Sequence, residues 1–268
     1  MSKVVGFIGC GNMGGAMMRG LVKSKLVSPQ NIIVGDLNEK RLEQVKKEFG
    51  VEITTDNKEV AKKADILILS VKPNIYKIVV DTIKDSVKED VVVITIAAGK
   101  GIEETEELFG KKLKVIKVMP NTPALVGEGM AAICPNERVS KEELEEAVSI
   151  FESFGKAEVL DEKYMDGVTA VSGSSPAYVF MFIEAMADAA VLEGIPRTKA
   201  YKMAAQAVLG SAKMVLETGK HPAELKDMVC SPAGTTIEAV GVLEERGFRS
   251  AVIEAMKACA EKSREMSK

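Results

Sequence analysis

The order of apolar and polar positions along the chain predicts two parts built in different ways. Up to about residue 161, apolar runs of strand length alternate with amphipathic helical segments, and the runs at 66–71 and 91–96 are almost wholly apolar. Unbroken apolar strands of this kind belong in parallel sheets that are covered on both faces. The alternation therefore predicts a doubly wound, mainly parallel α/β sheet over residues 1–161.

From residue 162 to residue 268 the strand-length runs stop and helical patterns follow one another. They are predicted at 162–171, 176–193, 197–218, 222–230, 234–246 and 248–265. The segment from Ala177 to Ile195 is strongly apolar, but three acidic residues interrupt it, so we expect a buried helix rather than a membrane span. An all-helical domain with so much apolar surface often packs against a copy of itself, which predicts a dimerisation domain over 162–268.

A glycine-rich turn after the first predicted strand indicates a dinucleotide site. The glycines are Gly9, Gly11 and Gly14, and a helical pattern begins directly after them. In this Rossmann-like arrangement the first glycine permits the tight turn, the second lets a pyrophosphate approach the backbone, and the third lets the helix pack on the strand. The free N–H groups at the start of the helix then face the phosphates.

Asp36 lies at the end of the second predicted strand, 22 residues after Gly14. An acidic residue at this place typically binds the adenine ribose 2′-hydroxyl of NAD, and its charge would repel a 2′-phosphate. The alternative is an aspartate that only caps the following turn. The neighbouring Lys40 and Arg41 would offset the repulsion, so we expect NADH to be preferred over NADPH, with use of both.

Composition narrows the class of protein. The chain has 268 residues, 46% of them hydrophobic, and a net charge of −3 without a basic stripe, which argues against nucleic acid as a partner. Its four cysteines are scattered and form no C-x-x-C pair, which suits free thiols in a reducing compartment and predicts no metal site. The first strand begins almost at the N-terminus, so we expect no signal peptide and a cytoplasmic protein.

A second informative stretch runs from His221 to Ala239. A short predicted helix ends near Val229, a turn follows, and a new helix begins around 234–236. The first N–H groups of that helix have no partner within the helix and would form an anion site beside the hydroxyls of Ser231, Thr235 and Thr236. An ordinary helix cap, closed by the threonines, explains the same spacing equally well.

Five ordered motifs give the chain a resemblance to the pyrroline-5-carboxylate reductase family over essentially its whole length. They are the segments 6–13, 71–73, 119–123, 172–178 and 225–237. The resemblance implies that the chain reduces the cyclic imine Δ1-pyrroline-5-carboxylate to L-proline with NAD(P)H, in the last step of proline biosynthesis. It also implies a helical domain that interlocks with a partner subunit, and assemblies that range up to a pentamer of dimers.

The resemblance also implies individual site residues. The substrate carboxylate would lie on Ser231, Gly234, Thr235 and Thr236, with Thr236 near the ring nitrogen as hydrogen-bond partner or proton donor and Glu162 close to the substrate. The cofactor residues that it implies are Ile8, Gly9, Cys10, Gly11, Asn12, Met13, Asp36, Asn38, Asn57, Val71, Lys72, Ala97, Ala98 and Gly99. Three positions depart from the family pattern: Asp36, Ser175 in place of a common glycine, and Met228 in place of an asparagine.

Two other functions remain open from the residues alone. A β-hydroxyacid dehydrogenase shares the two-domain plan, but the lysines of the second half do not lie in the glycine-rich motif of that family. A nucleotide-binding regulatory protein would keep the fold without turnover. His221 precedes a proline at a helix start and is not expected to act as the catalytic acid. Lys72 follows a strand and is not expected to do so either, because a solvated lysine is too weak an acid at pH 7.

Overall fold

The computed structural model describes residues 1–266 and contains one eight-stranded sheet with the order β3-β2-β1-β4-β5-β6-β7-β8. The strands are β1 Val5–Ile8, β2 Ile32–Gly35, β3 Glu52–Thr54, β4 Ile66–Leu69, β5 Val92–Thr95, β6 Lys114–Met119, β7 Gly129–Pro135 and β8 Gly155–Val159. Every adjacent pair is parallel except β6 with β7, which is antiparallel. The prediction of a doubly wound, mainly parallel sheet is therefore confirmed.

Twelve α-helices accompany the strands within the described residues. They are α1 Asn12–Lys23, α2 Glu39–Phe49, α3 Asn57–Lys63, α4 Pro73–Ile83, α5 Ile102–Phe109, α6 Lys141–Glu152, α7 Met165–Val168, α8 Ser175–Leu192, α9 Arg197–Thr218, α10 Pro222–Val229, α11 Thr235–Glu245 and α12 Phe248–Met266. A π-helical turn, Thr169–Gly173, follows α7. The predicted helix at 162–171 is thus a 3₁₀ turn, a short α-helix and a π turn in succession.

The strand order reverses beside β1, which lies between β2 and β4. The register pairs Ile8 with Gly35 on one side and with Leu69 on the other, so all three strands end at the same edge. In open α/β sheets, ligands bind outside the carboxyl ends of the strands at such a reversal point. The glycine loop that follows Ile8 lies at this edge.

Side chains from the two faces of the sheet form two separate cores. One contains residues of α1, α2 and α6, such as Met17, Leu42 and Phe151, and the other contains residues of α3 and α4, such as Val60 and Tyr76. All five named side chains are at most 2% exposed. Because both faces are covered, the central strands are fully buried, as their unbroken apolar sequence predicts.

Within the described residues the chain forms two compact units, one of residues 1–174 and 259–266 and a second of residues Ser175–Ala258. The segment after the predicted boundary belongs to the first unit because Met165 and Ala170 are buried there, 3% and 2% exposed. The domain division at 161/162 stays a prediction about folding units. In the second unit α8 packs on α9, and the rings of Phe182 and Phe248 lie 6.1 Å apart.

The sequence predicts that helix α8 is buried, but Ala187 is its single buried residue. Large apolar side chains such as Phe180, 63% exposed, and Met181, 69% exposed, are left uncovered within one chain. The helical stretch Glu162–Leu192 is long and apolar enough to cross a membrane by length and composition alone, a test that helices of soluble proteins also pass. A chain-to-chain contact would cover these side chains.

Candidate active site

The glycine loop has the geometry that each of its glycines was expected to provide. Gly9 has a φ of +97°, and a Cβ there would lie 2.6 Å from the carbonyl oxygen of Ser70. A Cβ on Gly14 would lie 2.6 Å from the carbonyl oxygen of Gly9, so the helix start could not pack this closely with any side chain. A Cβ on Gly11 would meet nothing within 4 Å, which leaves this part of the backbone open to a ligand.

Asp36 binds the glycine loop directly. Its Oδ2 accepts hydrogen bonds from the Cys10 backbone N–H at 2.9 Å and from the Cys10 thiol at 3.3 Å. Its Oδ1 accepts one from the Asn38 N–H at 2.9 Å, so the turn-capping alternative is realised. Carboxylate oxygens accept more than one hydrogen bond each, and the ribose contact of Asp36 therefore stays a prediction.

The contact between Asp36 and Cys10 contributes to a shift in the pKa of each group, and these shifts suppress the chemistry of the Cys10 thiol. Burial raises the pKa of Asp36, but hydrogen bonds from Cys10 and Asn38 and the charge of Arg41 outweigh it, so the pKa lies below its usual value. Burial, followed by the hydrogen bond and charge of Asp36, raises the pKa of Cys10 to about 12. Asp36 is therefore ionised and Cys10 protonated at neutral pH.

Asn12 and Asn38 connect the glycine loop to α2. The Asn38 side chain caps α2 by accepting a hydrogen bond from the Arg41 N–H at 3.1 Å. The Arg41 guanidinium donates in turn to Asn12 Oδ1 at 3.0 Å. A cation thus stands beside the Asp36 carboxylate at the carboxyl end of β2, where a 2′-phosphate would also be received.

Asn57 begins α3 beside the end of β2. Its Oδ1 is buried and has no hydrogen-bond partner among the described residues, and it lies 2.8 Å from where a Cβ on Gly35 would stand. A buried amide oxygen without a partner is costly, so such an atom is expected to bind water or a ligand group. This orphaned acceptor and the open backbone of Gly11 both fit a dinucleotide along this edge of the sheet.

The remaining predicted cofactor residues follow β4 and β5 at the same edge. Val71 is half-buried and lies close to Gly9, and Lys72 is exposed at the start of α4. Ala97 is 4% exposed, while the backbone at Gly99 turns through a φ of +72°. The structure thus brings residues from five predicted segments to one edge of the sheet, each after a strand that ends there.

Glu162 lies in the same unit as the sheet, in the 3₁₀ turn after β8. Its Oε1 accepts a hydrogen bond from the Ile102 N–H at 2.9 Å, and the Lys117 ammonium lies 3.6 Å from the same oxygen. Lys117 is 9% exposed and belongs to β6. The resemblance implies a substrate contact for Glu162, whereas its contacts within the chain are to the start of α5 and to a buried lysine.

The predicted anion site lies in the helical unit at the start of α11. The helix begins at Thr235, and its N-cap Gly234 provides no side-chain hydrogen bond, so the ordinary-cap alternative is not what the structure shows. Gly234 N–H donates to the Ser231 carbonyl at 3.1 Å, and Ala233 has a φ of +53°. The first N–H groups of α11 therefore remain available beside the exposed Ser231 and Thr235 and the half-buried Thr236.

The contacts of the other candidate groups, His221 and Lys72, are structural and indicate no catalytic role. The Nδ1 atom of His221 accepts a hydrogen bond from the Ala223 N–H at 3.2 Å and caps α10. Lys72 occupies the N-cap of α4 and forms no ion pair among the described residues. Within residues 1–266 no group of three or more His, Cys, Asp or Glu side chains could hold a metal ion.

Several contacts at the sheet edge are missing from the sequence-based site. The Ser70 hydroxyl donates to the carbonyl oxygens of Ile8 and Gly9, which fastens the glycine loop to the end of β4. Lys117 is a second such residue, and the sequence marks it as a lysine between apolar residues of β6. The hydrogen bond from Cys10 to Asp36 has no comparable signal because the two residues are 26 positions apart.

A doubly wound sheet with a glycine-rich loop of the dinucleotide-binding type, followed by a helical segment with a predicted anion site, is the architecture of a nicotinamide-dependent oxidoreductase that is built from two parts. Residues 4–99 match a family profile described as NADP oxidoreductase, coenzyme F420-dependent, and residues 162–266 match one described as pyrroline-5-carboxylate reductase dimerisation.

Full-length relatives identify the family. The chain is 54% identical to the pyrroline-5-carboxylate reductase of Escherichia coli strain K12 over 268 residues, covering 100% of both chains. It is 45% identical to the reductase of Methanosarcina acetivorans over 264 residues, covering 98% of each. The chain therefore belongs to the pyrroline-5-carboxylate reductase family and is an NAD(P)H-dependent oxidoreductase.

Solved structures agree with this assignment. A pyrroline-5-carboxylate reductase from Coxiella burnetii matches with a TM-score of 0.95 at 35% identity, over 100% of both chains. The enzyme from Plasmodium falciparum, solved with NADP bound, matches with a TM-score of 0.89 at 34% identity, over 99% of this chain and 98% of that one. The predicted Rossmann-like domain with a helical dimerisation segment is confirmed, and the similarity to bacterial reductases supports a soluble protein.

Proposed function

We propose that the chain reduces Δ1-pyrroline-5-carboxylate to L-proline with NAD(P)H as the last step of proline biosynthesis. The observation that carries the proposal is the uncapped start of α11, which offers N–H groups and hydroxyls to a small carboxylate in a chain that also has a dinucleotide loop. The reduced nicotinamide, when bound, supplies the hydride. The residues of the chain bind and orient the two reactants and exclude water.

The carboxylate of the cyclic imine would lie against the turn and helix start formed by Ser231, Gly234, Thr235 and Thr236. Two features support this placement: the helix dipole favours negative charge there, and the hydroxyls of Ser231, Thr235 and Thr236 make no hydrogen bond within the described residues. Thr236, the second residue of α11, would then reach the ring nitrogen as hydrogen-bond partner or proton donor. An imine that binds already protonated needs no stronger acid, because protonation makes the carbon electrophilic.

The cofactor would lie along the carboxyl edge of the sheet. Its pyrophosphate would contact the loop Ile8–Met13, its adenosine half would lie near Asp36, Asn38 and Asn57, and its nicotinamide half near Val71–Lys72 and Ala97–Gly99. The open side of Gly11 and the orphaned oxygen of Asn57 support this path. We expect a preference for NADH because the ionised Asp36 would repel a 2′-phosphate, with NADPH accepted through Arg41.

The helical segment would assemble the chain into a dimer, and dimers into a larger ring such as a pentamer of dimers. The dimerisation profile and the uncovered apolar side chains of α8 support the first step. A second subunit would bury those side chains, which explains why so apolar a helix is exposed in one chain. We also place the protein in the cytoplasm, where its free thiols remain reduced.

Initial rates with the purified protein test the function. Oxidation of NADH or NADPH is followed with Δ1-pyrroline-5-carboxylate. In a separate assay, reduction of NAD+ or NADP+ is followed with a panel of β-hydroxyacids. Imine-dependent oxidation supports the proposal, and turnover of hydroxyacids alone would indicate a β-hydroxyacid dehydrogenase. Cofactor binding without turnover of either substrate would indicate a regulatory protein. The ratio of kcat/KM values for NADH and NADPH tests the expected preference.

A further inference from the structure

The start of α5 is held by a side chain from a distant part of the sequence. Its N-cap residue is Gly101, which has no side chain to accept a hydrogen bond from the first turn. Glu162, 60 residues further on, accepts the hydrogen bond from Ile102 N–H instead, at 2.9 Å. Unsatisfied N–H groups at a helix start are normally capped by a local residue, so this long-range contact joins two segments as well as capping the helix.

Lys117 holds the Glu162 carboxylate in place. Its ammonium lies 3.6 Å from the same Oε1 atom, and its side chain is 11% exposed against 40% for Glu162. In the sheet, Lys117 is paired with Thr95 of β5 and with Cys134 of β7. A buried lysine needs an anionic partner, and the Glu162 carboxylate lies where it can serve as that partner.

The segment that this contact anchors is the loop between β5 and α5. It runs from Ala97 to Gly101, turns through Gly99 at a φ of +72°, and contains the residues proposed to contact the nicotinamide. At its α5 end, the Thr105 hydroxyl also donates to the Gly101 carbonyl at 2.7 Å. The loop therefore has a fixed exit, and its orientation depends on where Glu162 holds the Ile102 N–H.

We propose that Glu162 is a positioning residue for the cofactor loop 97–101, acting through the Ile102 N–H, rather than a substrate contact. The proposal rests on the proposed function, because it takes this loop to contact the nicotinamide. Its consequence is specific: loss of the Glu162 acceptor weakens cofactor binding, while affinity for the imine at saturating cofactor is unchanged. A substrate contact would give the opposite pattern.

Three substitutions separate the reach of the side chain from its charge. Glu162→Gln keeps the length and an acceptor oxygen but removes the charge, whereas Glu162→Asp keeps the charge but is one methylene too short. Glu162→Ala removes both. Asp161→Asn is the matched control, since Asp161 lies in the same turn, is 70% exposed and pairs with a surface lysine.

Cofactor affinity is measured first, by the fluorescence of NADH or NADPH without imine, and then the KM for imine at saturating cofactor. We expect Glu162→Asp and Glu162→Ala to weaken cofactor binding about tenfold, as the loss of a hydrogen bond to a charged group predicts, with Asp161→Asn near wild type. Glu162→Gln keeps an acceptor for the Ile102 N–H but leaves Lys117 without its anionic partner, so we expect a smaller weakening than in Glu162→Asp. The KM for imine should stay unchanged in all four variants.

The proposal is overturned if Glu162→Gln raises the KM for imine while Glu162→Asp preserves it, because charge would then matter more than reach. It is also overturned if cofactor binding is unchanged in Glu162→Asp. Should Glu162→Ala fail to fold, the comparison of the Gln and Asp variants still decides. Failure of the proposed function would give a different result, because the wild-type protein would then bind the cofactor but not oxidise it with the imine.

Discussion

The Oδ2 atom of Asp36, at the end of β2, accepts hydrogen bonds from both the backbone N–H and the thiol of Cys10 in the glycine loop. One carboxylate therefore fixes the loop at its centre, and its Oδ1 binds the N–H of Asn38 at the start of α2. An aspartate at this place typically binds the ribose of the cofactor. Here it also organises the loop that is proposed to receive the pyrophosphate.

Asp36→Asn should lower the free energy of unfolding by about 1–2 kcal/mol at pH 7, because an amide replaces the ionised acceptor. The folded-state pKa of Asp36 is lowered, so its stabilising contribution is present above the unfolded value of 3.8 and is lost as the pH falls through the folded value. The difference between wild type and variant should therefore shrink below about pH 4. Urea unfolding at pH 7 and in this acid range measures it.

Asp90→Asn serves as the control for this comparison, since the Asp90 side chain is 95% exposed. It should leave the unfolding free energy almost unchanged at both pH values. A constant difference between wild type and Asp36→Asn across the acid range would contradict the assigned role of the carboxylate.

Cys10 should resist alkylation in the folded protein. Its pKa of about 12 leaves very little thiolate at pH 8, and it is 1% exposed. We expect iodoacetamide to modify Cys10 about a thousandfold more slowly in the native protein than in urea, since the thiolate fraction changes tenfold per pKa unit. Peptide mass spectrometry over a time course measures both rates, and equal rates would show that burial and Asp36 do not hold the thiol protonated.

Gly11→Ala should impair cofactor binding without unfolding the protein. A Cβ at residue 11 enters open space rather than the protein, so it would occupy only the approach of the pyrophosphate. A misplaced cofactor should lower kcat/KM by about 10²-fold. Gly15→Ala is a matched control, because its Cβ also meets nothing within 4 Å but lies inside α1, where alanine is the better helix former.

Thermal unfolding and NADPH binding are measured on both of these variants. Gly15→Ala should bind cofactor normally with an equal or higher Tm. If both variants bound cofactor as tightly as wild type, the pyrophosphate would have to lie elsewhere.

Ala233→Gly should stabilise the chain. Ala233 and Lys25 are the two non-glycine residues with positive φ within residues 1–266. A left-handed conformation is unfavourable for alanine, and relief of it, less the added freedom of glycine in the unfolded chain, should raise the unfolding free energy by about 0.5–1 kcal/mol. Lys25→Gly should give a similar gain, so equilibrium unfolding of both variants tests the same cause at two places.

Gly234→Ala should disturb the same turn and weaken binding of the imine. A Cβ on Gly234 would collide with the Ser231 hydroxyl, which must then move. We expect a higher KM for imine because Ser231 belongs to the proposed carboxylate site. Wild-type steady-state kinetics in Gly234→Ala would show that the turn does not contact the substrate.

Thr236→Ala should lower kcat more than it raises the KM for imine. If the hydroxyl assists proton transfer to the ring nitrogen, its loss should cost about 10²-fold in kcat. Thr236→Ser keeps the hydroxyl at nearly the same place and should retain most of the rate. Steady-state kinetics that give a wild-type kcat for the alanine variant would remove Thr236 from the reaction.

Much of this protein follows from its sequence alone. Strands β1, β4 and β5 could be predicted because continuous apolar runs have no other stable place than a covered sheet. The glycine loop could be predicted because its spacing demands a backbone path that side chains block, and positive φ at Gly9 bears this out.

The tertiary structure decided the contacts that join distant segments. Cys10 with Asp36, Ile102 with Glu162, and Glu162 with Lys117 are each set by strand order and register, which local propensity does not encode. The exposure of α8 was also decided by the tertiary structure, because a largely apolar pattern is the same for a core helix and for one that faces another chain. Local patterns determine which elements form, whereas packing determines which side chains meet.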